Sequence, residues 1–215
     1  MADFPIVRSK TAMLFFDTLN VYLHPDDPAR RAAVEAEGVI PRLVKMNRAC
    51  REAGITIFYG QADHRPDGRD FAPQIVGLGH DGRSGDPPRL TTRPAAAAGM
   101  PSVDVIPEIA PQPGDYVIKK HRWSTFYQTH LELSLRTAGI DTIMIAGGST
   151  EVGVASTAYS ARDQDFNLIL LSDGCRSGRL GVNDFFMEKV FPIFARVMTI
   201  DEAIAAIQAP AAVAP

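Results

Sequence analysis

The chain has 215 residues, of which 46% are hydrophobic, and a formal net charge of −3. This length and composition predict one domain with a full apolar core and exclude wholesale disorder. The slight acidic excess offers no basic surface for phosphate backbones, so no nucleic-acid partner is expected. No apolar run reaches the roughly 18 residues of a membrane span, and the acidic start (MADFP) lacks the order of a secretory signal. We therefore expect a cytoplasmic protein without membrane contact.

Short apolar runs alternate with amphipathic segments along the chain. The apolar runs predict buried strands at residues 11–16, 55–59, 116–119, 142–146, 168–171 and 197–198. The amphipathic segments predict helices at residues 30–53, 129–138, 152–162, 183–190 and 201–208. Pro41 predicts a break in the first helix, Gly54 its end, and Asp201 the cap of the last. This alternation predicts an α/β fold of three α/β/α layers, with a doubly wound, mainly parallel sheet.

Domain organisation follows from where this periodicity stops. We expect a single domain over residues 1–208 and a flexible tail at 209–215. Residues 60–114 form a long loop rich in proline and glycine, with a short helix predicted at 71–77. Its arginines are Arg65, Arg69, Arg83, Arg89 and Arg93. Irregular segments of this length are more often functional than idle, so we interpret the loop as a lid or a substrate-facing element.

Polar residues follow the predicted strands at the edge where a parallel sheet binds its ligands. They are Asp17, Gln61, Lys120 and the turn at residues 147–150 (GGST). An acid, an amine and the start of a helix at one edge indicate an acid/base pair beside an anion-binding turn. Each also has a structural explanation: Asp17 as a turn cap, Lys120 as a solvated lysine, and the glycines as a tight turn.

Cysteine and histidine usage argues against two other kinds of site. Cys50 and Cys175 are too few for a disulfide framework, and Cys175 has no histidine nearby in sequence, so we interpret it as structural. Asp63 and His64 stand alone in the sequence, without further ligands at metal-binding spacing. The first strand is not followed by a GxGxxG motif. We therefore expect no metal and no other cofactor.

Four motifs occur in order between residues 11 and 198. They are residues 15–20 (FFDTLN), 106–115 (IPEIAPQPGD), 117–126 (VIKKHRWSTF) and 146–154 (AGGSTEVGV). They resemble the D-x-Q-N, I-x-P-E-L…P-x-G-[DE], V-I-x-K-x-R-[YF]-S-A-F and G-x-x-T-x-x-C-V motifs of the isochorismatase-like superfamily of cysteine hydrolases. The resemblance implies that superfamily's Rossmann-like fold, hydrolysis of a small-molecule substrate, and a homo-oligomer, either a dimer or a tetramer.

The superfamily's catalytic triad is Asp, Lys and Cys, and the resemblance places the first two at Asp17 and Lys120. Gly153 stands where the nucleophilic cysteine is expected. Glycine has no atom with which to form a thioester, so the resemblance implies hydrolysis without a covalent intermediate. True isochorismatases also have glycine there and hydrolyse a vinyl ether, with the aspartate as general acid. The nicotinamidase metal motif, D-x-H-x-x-x-x-x-H, is not matched by residues 59–66 (YGQADHRP).

The same resemblance predicts the substrate contacts. Gln61 corresponds to a glutamine that contacts substrate, and Arg69, then Arg65, is the candidate for holding a carboxylate. Peptide N–H groups at residues 149–153 would stabilise developing negative charge. The predicted substrate-binding residues are thus Gln61, Arg69, Arg65, Trp123, Phe126, Ser149 and Thr150.

Two other hypotheses remain open at this point. Ser149 or Thr150 would attack an amide or ester with Asp17 as base, although a serine normally needs a histidine for activation. Alternatively, the chain is a binding protein that kept the pocket and lost the chemistry. The retained Asp17 and Lys120 argue against this second hypothesis, because a charged pair in a crevice is costly.

Overall fold

A computed structural model describes residues 6–67, 69–70 and 101–209. The helix predicted at 71–77 and nearly all of the predicted tail lie outside the described residues. Within the described ranges, no helix has both the length and the apolar character needed to cross a membrane. The fold is built from one sheet with helices on both faces, as the alternating pattern predicts.

The sheet is parallel throughout, with strand order β3-β2-β1-β4-β5-β6. Its strands in the described residues are β1 (Thr11–Phe16), β2 (Thr56–Ala62), β3 (Tyr116–Lys120), β4 (Thr142–Gly148), β5 (Asn167–Arg176) and β6 (Arg196–Met198). The chain runs outward from β1 to one edge and then from β4 to the other. The strand order reverses between β1 and β4, and in parallel sheets ligands bind at the carboxyl ends of the strands beside such a reversal.

The helices pack against both faces of the sheet. They are α1 (Asn20–Leu23), α2 (Pro28–Glu37), α3 (Val39–Glu52), α4 (Leu131–Thr137), α5 (Ala155–Asp163), α6 (Val182–Phe185) and α7 (Ile200–Gln208). Alternate residues of β1 serve the two cores: Met13 and Phe15 pack in the cluster with α3 and α7, and Leu14 and Phe16 in the cluster with α4 and α5. Both faces are buried, which explains why β1 is continuously apolar rather than alternating.

Among the boundaries that differ from the sequence predictions, three have identifiable reasons. The predicted helix at 30–53 is two helices, separated at Gly38 with φ of 62° rather than at Pro41, which lies in the first turn of α3. Thr199, and not Asp201, caps α7, because its hydroxyl accepts the Glu202 N–H while the Glu202 carboxylate accepts the Thr199 N–H. Strand β5 continues to Arg176, so Cys175 lies within the strand instead of after it.

Candidate active site

Asp17 and Lys120 meet at the carboxyl edge of the sheet. Asp17 follows β1, Lys120 ends β3, and β2 lies between them with Ala62 opposite Lys120. The Lys120 Nζ donates to Asp17 Oδ2 at 2.7 Å, and the Ala62 N–H donates to Asp17 Oδ1 at 2.8 Å. The side chains are 4% and 10% exposed for Lys120 and Asp17. Three adjacent strands therefore hold one carboxyl group in a fixed orientation.

The surroundings of Asp17 suit a group that gains and loses a proton. Burial raises the pKa of Asp17, while the Lys120 ammonium and the Ala62 N–H act in the opposite direction without cancelling it. Burial, and secondarily the charge of Asp17, raises the pKa of Tyr22 to about 12, so this neighbouring hydroxyl stays neutral. The Lys120 ammonium also lies 4.4 Å from the centre of the Phe16 ring. Asp17 thus keeps its proton to a higher pH than an exposed aspartate.

Gly153 lies in a π-helical turn, Thr150–Val154, against the ring of Phe16. A Cβ atom at position 153 would come 2.2 and 2.3 Å from Phe16 Cζ and Cε1. Gly147 allows a second close approach: its φ is 129°, and a Cβ there would come 1.9 Å from the Phe16 carbonyl oxygen. The aromatic ring therefore fills the space in which any side chain at 153, a thiol included, would begin.

The turn after β4 places the two candidate hydroxyl nucleophiles differently. A cis peptide joins Gly148 to Ser149, and Ser149 is exposed. Thr150 is fully buried and its hydroxyl donates to Asn183 Oδ1 at 2.7 Å. The N–H groups of Val152 and Val154 donate to the Ser149 carbonyl at 3.3 and 3.1 Å. The Val152 N–H, which belongs to the predicted anion-binding residues 149–153, is therefore already bonded within the turn. The anion-binding role of this turn stays a prediction, and Thr150 is poorly placed as a nucleophile.

The remaining predicted substrate residues are dispersed. Gln61 lies inside β2, rather than after it, and its amide donates to the Val103 carbonyl at 2.6 Å. Arg65 and Arg69 are exposed, and Arg65 pairs with Asp67 at 2.6 Å. Trp123 is 67% exposed, whereas Phe126 is buried and packs on the Phe166 ring. The substrate roles assigned to these residues remain predictions.

The structure places His64, which stands alone in the sequence, beside Asp70 and His121. His64 Nδ1 lies 3.4 Å from Asp70 Oδ2, and His121 Nδ1 lies 3.3 Å from the same oxygen. His64 follows β2, Asp70 lies further along the same loop, and His121 follows β3. Their proximity therefore depends on the pairing of the two strands. The position of His121 directly after Lys120 is the one sequence feature that places it near the crevice.

Known proteins support this description of the fold. Residues 11–202 match the Isochorismatase domain family. The chain is 40% identical over 93 residues to the uncharacterized isochorismatase family protein YecD of Escherichia coli O157:H7, covering 43% of this chain and half (50%) of YecD. It is 30% identical over 176 residues to ureidoacrylate amidohydrolase RutB of Methylobacterium radiotolerans, covering 76% of this chain and 66% of RutB.

A solved structure extends the likeness to nearly the whole fold. The isochorismatase-like hydrolase from Alkaliphilus metalliredigens superposes with a TM-score of 0.71 at 31% identity, covering 92% of this chain and 98% of that one. The aspartate and lysine meet at the sheet edge, as the resemblance implied. From the match over residues 11–202 and this shared fold, the chain belongs to the isochorismatase family of hydrolases.

Proposed function

We propose that this chain hydrolyses a small carboxylate-bearing substrate without a covalent cysteine intermediate, by the vinyl-ether type of reaction, with Asp17 as general acid. The observation that carries the proposal is the Phe16 ring, which comes within 2.2 Å of where a Cβ at position 153 would lie. The site therefore has an aromatic wall where cysteine hydrolases of this superfamily have their nucleophile.

Neither cysteine of the chain offers a replacement nucleophile. Cys50 and Cys175 are both buried, and burial raises the pKa of each thiol to about 12. The Cys175 thiol donates to the Ile145 carbonyl at 3.5 Å within the sheet. Because the thiolate is the reactive species, thiols with such pKa values are inert at neutral pH.

In the proposed reaction, protonated Asp17 delivers its proton to the terminal vinyl carbon. A C–H bond forms from the π electrons, and the ether oxygen's lone pair stabilises the resulting oxocarbenium ion. Water adds to the cationic carbon and returns one proton to Asp17, and the hemiketal then collapses to a keto acid and an alcohol. The Lys120 ammonium, 2.7 Å from Asp17, stabilises the carboxylate while its proton is on the substrate.

A second candidate function is amide hydrolysis, which the name of the ureidoacrylate amidohydrolase relative favours. With glycine at 153, the attack would come from water activated by Asp17, or from the exposed Ser149. The Ser149 route predicts a covalent acyl-enzyme, whereas the vinyl-ether route predicts none.

A substrate panel tests the proposal directly. Enol ethers of small carboxylic acids, ureido and carbamoyl amides, and simple esters are incubated with the protein, and products are identified by mass. We expect turnover of an enol ether, its loss in Asp17→Asn, and near-normal turnover in Cys175→Ala. An inactive Cys175→Ala variant or a trapped acyl-enzyme would contradict the proposal. Binding of panel members without turnover of any would instead support the binding-protein hypothesis.

A further inference from the structure

A cavity lies at the carboxyl edge of the sheet, between α2 and the residues that follow β5. Its volume is about 480 Å³, and its walls include Tyr22, Arg30, Glu37, Arg176, Arg179 and Asn183. Asn183 Oδ1 accepts the Thr150 hydroxyl at 2.7 Å, and its Nδ2 donates to the Ser172 carbonyl at 3.1 Å. One wall is therefore fixed to the turn that carries Gly153. We call this space the arginine cavity.

Arginines dominate the charge of the arginine cavity. Among the described residues that line it, three are arginines and two are acids, Glu37 and Asp184. The Arg176 guanidinium donates to both Glu37 carboxylate oxygens, at 2.7 and 3.1 Å. Arg179 Nε lies 4.0 Å from Glu151 Oε1. The lining residues thus carry more positive than negative charge, which favours an anionic ligand.

Arg30 differs from the other two arginines of the cavity. Its backbone N–H donates to Asp27 Oδ1 at 2.8 Å and caps α2. Its guanidinium has no ion pair or hydrogen bond with another residue that the structure describes. A guanidinium can donate two parallel hydrogen bonds to one carboxylate, so the Arg30 side chain is suited to bind a carboxylate that enters the cavity.

Tyr22 connects Arg30 with Asp17. It lies in α1, five residues after Asp17, and lines the arginine cavity. Burial has the largest influence on the pKa of Tyr22, the Asp17 charge raises that pKa further, and the Arg30 charge lowers it. Because such interactions weaken with distance, both charged groups are close to this phenol. Within the described part of the chain the Tyr22 hydroxyl has no hydrogen bond, so a ligand can bond it.

We propose that Arg30 binds the carboxylate of the substrate in the arginine cavity, with the Tyr22 hydroxyl as a second donor. The proposal rests on the function proposed above, which requires a carboxylate-bearing substrate. Since Tyr22 is close to both charged groups, a small acid held at Arg30 can reach Asp17 with its other end. Arg65, a candidate for this role from the sequence, already donates to both Asp67 carboxylate oxygens, at 2.9 and 2.6 Å.

The first test measures binding without turnover. Pyruvate is the smallest keto acid that the proposed reaction can release, and ligand-observed NMR on the full chain gives its dissociation constant. We expect Arg30→Gln to weaken pyruvate binding at least about 10-fold, because a hydrogen bond to a charged group is worth roughly that factor or more. Tyr22→Phe should have a smaller effect, because it removes one neutral donor. Arg30 is exposed, so its variant is expected to fold, which far-UV circular dichroism verifies.

Arg31→Gln is the matched control. Arg31 adjoins Arg30 on α2, is not among the residues that line the cavity, and donates from its Nε to the Pro25 carbonyl at 3.1 Å. This variant should bind pyruvate as the unaltered protein does. Equal affinity in the unaltered protein and a folded Arg30→Gln variant, equal losses in the two variants, or no binding by the unaltered protein would overturn the proposal. A loss in Arg69→Gln alone would assign the carboxylate to the loop and also overturn it.

A second test separates this proposal from the proposed reaction. The substrates are 2-methoxyacrylate, an enol ether with a carboxylate, and its neutral methyl ester. Arg30→Gln should raise KM for the acid at least about 10-fold with kcat little changed, and should leave KM for the ester in place. An equal rise for acid and ester would overturn the role of Arg30. Absence of turnover would count against the reaction alone, since the pyruvate titration tests Arg30 without it.

Discussion

Two buried ion pairs of this chain have similar geometry and different surroundings. Lys120 and Asp17 meet at 2.7 Å at the carboxyl edge of the sheet, and Arg51 and Asp115 meet at 2.8 Å between α3 and the segment before β3. Their aspartates are similarly buried, with 10% and 9% of the side chain exposed. Burial and a salt bridge alone therefore do not distinguish a reactive pair from a structural one.

The second pair belongs to a hydrogen-bond network that joins several elements. Arg51 also donates to Asn47 Oδ1 at 3.0 Å, and Asn47 donates to the Tyr59 hydroxyl at 3.0 Å. Tyr59 in turn donates to the Ile109 carbonyl at 2.7 Å, and Asp115 accepts the Gln112 N–H at 2.7 Å. These bonds tie α3, β2 and the chain before β3 together, so this pair serves the fold.

The first pair has fewer partners and stands beside an aromatic wall. Asp17 accepts from Lys120 and from one peptide N–H, and the Phe16 ring lies against the lysine ammonium. Burial is the largest influence on the pKa of Asp17 and raises it. A carboxyl group with raised pKa at the carboxyl edge of a parallel sheet is suited to proton transfer. The comparison predicts that matched substitutions affect activity in one pair and stability in the other.

The largest expected effect comes from removing the proton carrier. Asp17→Asn should lower kcat by roughly 1000-fold, because general acid catalysis commonly contributes about 100- to 10,000-fold. Asp115→Asn is the matched control and should keep its kcat while losing stability. The measurements are steady-state kinetics on the enol ether found in the panel and urea unfolding of both variants. Equal activity losses in the two variants would contradict the comparison.

Replacing Lys120 and Arg51, the cationic residues of the two pairs, should distinguish the pairs by a second measurement, the pH dependence of kcat. Lys120→Met removes a group that lowers the pKa of Asp17, so that pKa should rise further. Since the general acid is active when protonated, the rate falls as pH rises through this pKa, and the falling limb should move to higher pH. A pH–kcat profile of the variant checks the shift, and a limb that moves to lower pH would contradict the assignment of Asp17 as the acid.

Arg51→Met is the control for this substitution. It should leave the pH–kcat profile in place and lower the free energy of unfolding by about 2–3 kcal/mol. This value lies below the cost of breaking a fully buried pair because 22% of the Arg51 side chain is exposed. Chemical denaturation measures it.

Gly153→Cys tests the aromatic wall beside the first pair. The new Cβ would overlap the Phe16 ring, so the variant should lose about 1–3 kcal/mol of stability through overpacking. In the double variant Phe16→Val, Gly153→Cys, the smaller valine side chain removes the overlap. Gly153→Cys should therefore lower the free energy of unfolding much less when residue 16 is valine than when it is phenylalanine. A double-mutant cycle from denaturant unfolding measures this coupling, and strictly additive effects would show that ring and glycine are independent.

The smallest expected effect belongs to the cysteines. With both thiol pKa values raised to about 12 by burial, neither Cys50 nor Cys175 should react with iodoacetamide in the folded protein at neutral pH. Intact-mass spectrometry before and after unfolding measures the labelling. Rapid labelling of Cys175 in the folded state would place a reactive thiol near the crevice and oppose the proposed chemistry.

Much of the fold was predictable because it depends on local patterns. The apolar run at residues 11–16 and those that follow it predict buried strands, and amphipathic segments between them require a parallel sheet with helices on both faces. Capping was less predictable: Thr199 and Asp201 both suit a helix start, and the reciprocal bonds with Glu202 decided between them. The helix break was predicted at Pro41, whereas the chain breaks at Gly38, where φ is 62°.

The sequence by itself predicted the family, the sheet and the meeting of Asp17 with Lys120, because the carboxyl ends of all strands in one parallel sheet lie at the same edge. Only the tertiary structure decided that the Phe16 ring fills the space beside Gly153 and that His64, Asp70 and His121 converge. Those contacts join segments distant along the chain, and their distances depend on how strands and loops pack around them. Periodicity and spacing describe residues that are close in sequence, whereas side-chain packing determines which residues distant in sequence come into contact.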